Sequence, residues 1–107
     1  MRVWDLPPHL LCRSHLLGEH REIHAVWSIL TSGRSGYRKH PETRRWKGKL
    51  AALLKRHDAV AAEMQARGYR HLTPLDPQLA AGTAETQEEF VNTPEEQEEI
   101  LRRKNCG

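Results

Sequence analysis

The apolar residues Leu16, Ile23, Trp27 and Leu30 fall on one side of a helical wheel, and His15, Glu19 and Glu22, at i, i+4 and i+7, fall on another. This pattern predicts a first helix that starts near Leu10, after the break at Pro7-Pro8, and ends before Thr31-Ser32-Gly33. Residues 31–40 read as a Gly/Ser/basic loop. Pro41 suits the first turn of a second helix, predicted to run to Arg67 with Gly68 as its C-terminal cap. Its apolar stripe is Trp46, Leu50, Leu53, Leu54, Val60 and Met64. The stretch from Thr73 to Thr86 is rich in Pro, Ala and Gly and has no clear period. Thr93-Pro94-Glu95-Glu96 then has capping-box spacing with Pro at the first helical position, and a third helix should run to Lys104. Its acids stand at the start and Arg102, Arg103 and Lys104 at the end, as the helix dipole favours. No run reads as a strand. The expectation is an all-α compact domain spanning residues 1–107, with three main helices joined by a basic loop and a Pro/Ala/Gly-rich connection.

Charge adds to this picture because it is unevenly placed. From Met1 to His71 there are 14 Lys/Arg against 6 Asp/Glu, and from Leu72 to Gly107 there are 3 against 8. A basic body with an acidic C-terminal part suits a protein that tracks phosphates on one surface. The basic residues concentrate between Gly33 and Lys49, with Arg34, Arg38, Lys39, Arg44, Arg45, Lys47 and Lys49 against Glu42 alone. Tyr37 and Trp46 are interleaved with them. Such a mixture can grip a nucleic-acid backbone and stack on bases. Trp46 opens the apolar stripe and is assigned to the core, so Tyr37 is the stacking candidate.

The remaining chemistry narrows the field. His20 and His24, at i and i+4, have a spacing that can chelate zinc. No third ligand stands at a defined spacing, so packing histidines are preferred and no metal or other cofactor is expected. Cys12 and Cys106 form neither a disulfide framework nor a metal motif, and reduced thiols are expected. With no secretory leader and no apolar run of membrane-spanning length, the expected setting is the cytoplasm, beside the nucleoid. Gly-rich phosphate loops, nucleophile-elbow serines and Cys/His catalytic signatures are absent from the sequence.

The first thirty residues carry a resemblance. The spacing Arg2 … His15-Leu16-x-x-Glu19-x-Arg21-Glu22 resembles the pyrimidine-dimer DNA glycosylases of the bacteriophage endonuclease V type and their small bacterial relatives. The match is ungapped from Arg2 to about Trp27. It resumes from Trp46-Lys47-Gly48-Lys49-Leu50 to Glu63-Met64-Gln65-Ala66-Arg67-Gly68-Tyr69, which resembles that family's long second helix and its closing turn. The resemblance implies a glycosylase with β-elimination (abasic-site lyase) activity on ultraviolet-induced cyclobutane dimers in duplex DNA. It implies an N-terminal amine, here that of Met1, attacking C1′ of the sugar, with Glu22 as the essential carboxylate. It further implies that Arg2 and Arg21 contact DNA around the lesion and that His15 lines the site. A free α-amine has a pKa of about 7.7–8, so much of it is neutral and nucleophilic near pH 7.

Three departures accompany the match. The family usually exposes a threonine after methionine removal, whereas here Met1 aligns with that position, and Arg2 is expected to block its removal. Ala25 stands where the phage enzyme has a phosphate-holding arginine. The tail Arg102-Arg103-Lys104-Asn105-Cys106-Gly107 lacks the aromatic residue of the phage enzyme. The alternatives are therefore a glycosylase or lyase for another lesion, or a non-catalytic duplex-binding protein of the same fold. In either case the expected partner is double-stranded DNA, with the protein acting as a monomer without an obligate protein partner.

Overall fold

A computed structural model describes residues 2–32, 40–69 and 73–104. Its α-helices are α1 (Arg13–Ser32), α2 (Pro41–Arg45), α3 (Leu50–Ala66) and α4 (Pro94–Arg103), and the described residues contain no strand. Short 3-10 turns at Pro8–Leu10 and Pro77–Ala80 precede α1 and lie in the α3–α4 connection.

Helix α1 starts later than its apolar pattern suggests. Pro7-Pro8 lead into the 3-10 turn, which ends at extended Leu11 (φ −86°, ψ 139°) before the helix begins. It also runs further, through Thr31 and Ser32. The hydroxyls of these residues turn back on the helix and donate to the carbonyls of Trp27 and Ser28 four residues earlier.

The predicted second helix is two helices. The chain turns at Trp46–Gly48, with Gly48 at φ 75°, a conformation that only glycine adopts without strain. The break is sealed from a distance. The Ala51 amide donates to Thr83 Oγ1 (2.7 Å) and the Ala52 amide to the Ala84 carbonyl (3.0 Å), while the Ala84 amide donates back to the Gly48 carbonyl (3.0 Å). The irregular connection thus supplies the N-terminal cap that Lys49 does not provide. At the other end of α3, the Tyr69 amide reaches Met64 O (2.9 Å) and the Gly68 amide reaches Gln65 O (3.0 Å), with Gly68 at φ 83°. This is a Schellman turn, which closes the helix at the glycine expected to cap it. Helix α4 has the predicted capping box, with Thr93 Oγ1 accepting from the Glu96 amide and Glu96 accepting from the Thr93 amide.

One core holds these elements together. Leu16, Ile23, Val26 and Trp27 of α1 meet Trp46 and Leu53, Val60 and Met64 of α3, with Leu101 of α4 also buried. Leu50 and Leu54 pack at its edge. Val3, Trp4 and Leu6 are at most 4% exposed, so the extended N-terminal segment belongs to the core. Burying such side chains contributes roughly 1.5–3 kcal/mol each before conformational entropy is subtracted.

The polar network that fixes this segment was not anticipated from the sequence. Glu42 Oε1 accepts from the Val3 amide (3.0 Å), from Arg45 Nε (2.9 Å) and Nη2 (2.7 Å), and from Trp46 Nε1 (3.3 Å). Arg45 also donates to the carbonyls of Val3 (2.7 Å) and Glu89 (2.9 Å) and pairs with Asp5 (3.0 Å). Gln97 of α4 accepts from the Asp5 amide (2.7 Å) and donates to its carboxylate (2.9 Å). On the other side, Arg56 of α3 donates to the Leu6 carbonyl. Residues 3–6 are therefore tied to α2, α3 and α4 at once.

Candidate active site

An open cavity of about 320 Å³ lies beside this tethered segment. Arg2 and Trp4 form one wall, and Ser14, His15, Gly18, Glu19 and Glu22 of α1 form another. Lys104, just after α4, completes the lining. The helical period explains the α1 wall. Ser14, Gly18 and Glu22 are spaced four residues apart, and His15, Glu19 and Glu22 run alongside on the same side of the helix. A Cβ added at Gly18 would meet nothing within 4 Å, so the missing side chain keeps the middle of the cavity open.

The two carboxylates on this face have different environments. Glu19 is 1% exposed and accepts two hydrogen bonds from the Arg56 guanidinium, at 2.5 and 2.9 Å. Burial pushes its carboxyl above the ordinary carboxylate range, while the Arg56 contacts and a Trp4 backbone hydrogen bond oppose that shift. Glu19 thus joins α1 to α3 at the cavity floor. Glu22 is half-buried and faces the opening.

Arg2 is stacked on Trp4, its guanidinium carbon 4.9 Å from the ring centroid, and the Trp4 ring meets His15 edge-on at 5.7 Å. Burial and the nearby positive charge of Lys104 hold His15 below its ordinary pKa. His15 Nδ1 lies 3.1 Å from Cys12 Sγ. Cys12 is disulfide-bonded, which corrects the expectation of a reduced thiol. Linear spacing does not reveal this proximity: Lys104, just after α4, shares the cavity with Ser14 at the start of α1. The other cysteine, Cys106, lies outside the described residues. A disulfide sulfur carries no proton, so the proton in the His15 contact belongs to Nδ1.

The other candidates are dispersed. Arg21 is exposed and does not line the cavity. Met1, Tyr37, Arg38 and Lys39 lie outside the described residues. Arg44 and Lys47 are exposed, and Arg44 borders a second open cavity of about 420 Å³ with Pro41, Phe90 and Val91. Arg45 instead is 5% exposed and committed to Glu42, Asp5 and two carbonyls. Burial alone would lower its pKa, but the Glu42 and Asp5 contacts more than offset that and hold it above its ordinary value. Lys49 bridges Gln87 Oε1 (2.8 Å) and Glu89 Oε1 (2.9 Å), so an acidic residue of the connection occupies it.

Ser14, Gly18, Trp4 and Lys104 join the cavity without having been singled out from the sequence. Small residues at 14 and 18, one and two turns before Glu22, were the available signal for the first two. Lys104 had none, because only tertiary packing brings it there. His57 of α3, too, sits against His20 and His24, supplying the third histidine that linear spacing did not reveal.

A family model for pyrimidine dimer DNA glycosylases matches residues 1–77. The chain belongs to this family. The matched stretch contains the N-terminal segment and every α1 residue of the cavity, while Lys104 lies beyond it. Comparison with curated proteins and with solved structures gives no match. Membership of a pyrimidine dimer DNA glycosylase family assigns the chain to DNA glycosylases that act on damaged DNA. None of the described helices is long and apolar enough to cross a membrane.

Proposed function

We propose that the protein cleaves a glycosidic bond at cyclobutane pyrimidine dimers in duplex DNA and then cleaves the strand at the resulting abasic sugar. The chain's N-terminal amine, carried by Met1, attacks C1′; the C1′–N bond to the damaged base breaks and an N–C1′ bond forms. Glu22 manages the proton traffic and stabilises the oxocarbenium-like charge at the sugar. Ring opening yields a Schiff base, which acidifies the adjacent C2′. Loss of that proton expels the 3′ phosphate by β-elimination. Arg2 and Arg21 hold phosphates around the lesion, and His15 lines the pocket that receives the displaced nucleotide. Arg44 and Lys47, with Tyr37, Arg38 and Lys39, extend the contact along the backbone. Arg45 and Lys49 position the segment and the connection instead. The protein works as a monomer wherever the cell keeps its DNA.

The observation that carries this reading is the convergence of Arg2, His15 and Glu22 on one open cavity at the tethered N-terminal segment. Family membership supports the substrate class. Incision of a duplex with a single thymine dimer tests it, comparing wild type with Glu22→Gln. Wild type should incise the damaged strand and leave undamaged duplex intact. Glu22→Gln should keep the fold and lose cleavage of the glycosidic bond. Equal incision by both proteins would remove Glu22 from the chemistry. Incision only at a preformed abasic site would move the substrate to another damaged base.

A further inference from the structure

The α1–α3 interface contains three imidazoles. His20 and His24 stand one turn apart on α1, and His57 of α3 faces both. Ring centroids are 4.7 Å apart for His20–His24, 5.1 Å for His20–His57 and 5.0 Å for His24–His57. One nitrogen from each ring lies within 4.8 Å of the other two. His20 and His57 are 4% and 3% exposed, and His24 is half-buried. We propose that His20, His24 and His57 bind one divalent transition-metal ion of the zinc class.

Three arguments support the assignment. The first is geometric. Tetrahedral zinc with Zn–N bonds of about 2.0–2.1 Å places its ligand nitrogens roughly 3.3 Å apart. Small rotations of the rings close the remaining distance from a 4.8 Å cluster.

The second is the donor set. Imidazole alone, without carboxylate or thiolate, suits zinc, copper, nickel or cobalt and not magnesium or calcium. Three protein ligands leave one coordination position for water. His57 also has an outer-shell partner ready. Its Nδ1 lies 3.0 Å from Asp58 Oδ1 and its Nε2 2.9 Å from the Thr73 carbonyl. One nitrogen turns to the metal, and the other donates to the acceptor it retains, which orients the ring.

The third is energetic. Gathering three polar rings in a helix interface is costly where aliphatic side chains would fill the space, and a shared metal offsets that cost.

The site has a structural role. Glu19 and His20 are consecutive on α1, and Arg56 and His57 are consecutive on α3. The metal would therefore fasten the two helices directly behind the Glu19–Arg56 pair at the cavity floor. It does not enter the proposed chemistry, and its failure would leave the glycosylase reading standing.

The test uses untagged full-length protein, stripped with EDTA and titrated with zinc chloride by calorimetry, with cobalt(II) as a spectroscopic substitute. The expected result is one zinc per chain, a cobalt spectrum of low-coordinate imidazole ligation and a zinc-dependent rise in melting temperature. His24→Gln, at the most exposed ligand, should fold and weaken binding by more than the roughly 10–100-fold that loss of an outer-shell partner costs. His57→Gln should do the same and abolish the cobalt spectrum. His9→Gln, at an exposed histidine outside the cluster, should leave affinity unchanged. Absence of stoichiometric zinc binding by wild type would overturn the proposal. So would zinc affinity unchanged in His24→Gln, which is decisive even if His57→Gln fails to fold.

Discussion

Arg45→Met tests whether the N-terminal segment is held by a buried ion network. The substitution keeps most of the aliphatic volume and removes the guanidinium. Glu42, 4% exposed, is then left with the Val3 amide and the Trp46 indole but no countercharge. The carbonyls of Val3 and Glu89 each lose a donor, whereas Asp5 at 11% exposure can turn toward water. Removing one partner of a buried pair costs about 3–5 kcal/mol, because the other charge remains desolvated. At about 4–8 °C per kcal/mol for a domain near this size, melting should fall on the order of 12–40 °C. Thermal and urea unfolding followed by circular dichroism would measure it. The double variant Arg45→Met/Glu42→Leu removes both charges and should recover a substantial part of the loss. Dimer incision by the single variant at low temperature should fall further than its unfolded fraction explains, because the segment that carries Arg2 loses its anchor. A stability loss below about 1 kcal/mol, or additive behaviour in the double variant, would refute the reasoning.

Two further predictions concern the cavity. Gly18→Ala should stabilise the protein by up to about 1 kcal/mol, since the new methyl meets open space within a helix; Gly18→Trp should fill the cavity and cut dimer incision at least tenfold with little change in melting temperature. For His15, an NMR titration should find a pKa below 6.5, and Lys104→Met should raise it only in part, because burial is the larger cause. A lowered folded pKa means that the unfolded chain takes up the proton first. The stability His15 contributes is therefore full above pH 6.5 and lost as pH falls through its lowered value. Exchanging His15 for Asn should flatten that part of the pH–stability profile.

Local signals made some elements readable in the sequence. Gly68 after an apolar stripe gave the Schellman turn, and Thr93-Pro94-x-Glu96 gave the start of α4, because both ends are closed by residues within a few positions. The α2–α3 break was not readable. Trp46 continues the helical period of Leu50 and Leu53, and the groups that seal the break, Thr83 and Ala84, come from a stretch with no pattern of its own. The candidate site divides in the same way. The shared face of His15, Glu19 and Glu22 follows from spacing alone. The different environments of the two glutamates depend on Arg56, which reaches Glu19 from another helix. Arg45 and Lys49 read as DNA-facing charge because their partners, Asp5 and Gln87–Glu89, are remote in sequence. His57 is likewise near His20 and His24 only once α1 and α3 pack.

The proposed mechanism turns on an N-terminal amine working with Glu22. The most direct measurement is borohydride trapping of untagged protein on duplexes carrying one thymine dimer or one abasic site, with the adduct mapped by peptide mass spectrometry. A covalent adduct is expected on the N-terminal residue with both duplexes, and none after the N-terminus is extended. An adduct on an internal lysine such as Lys49, or full activity with a blocked N-terminus, would contradict it.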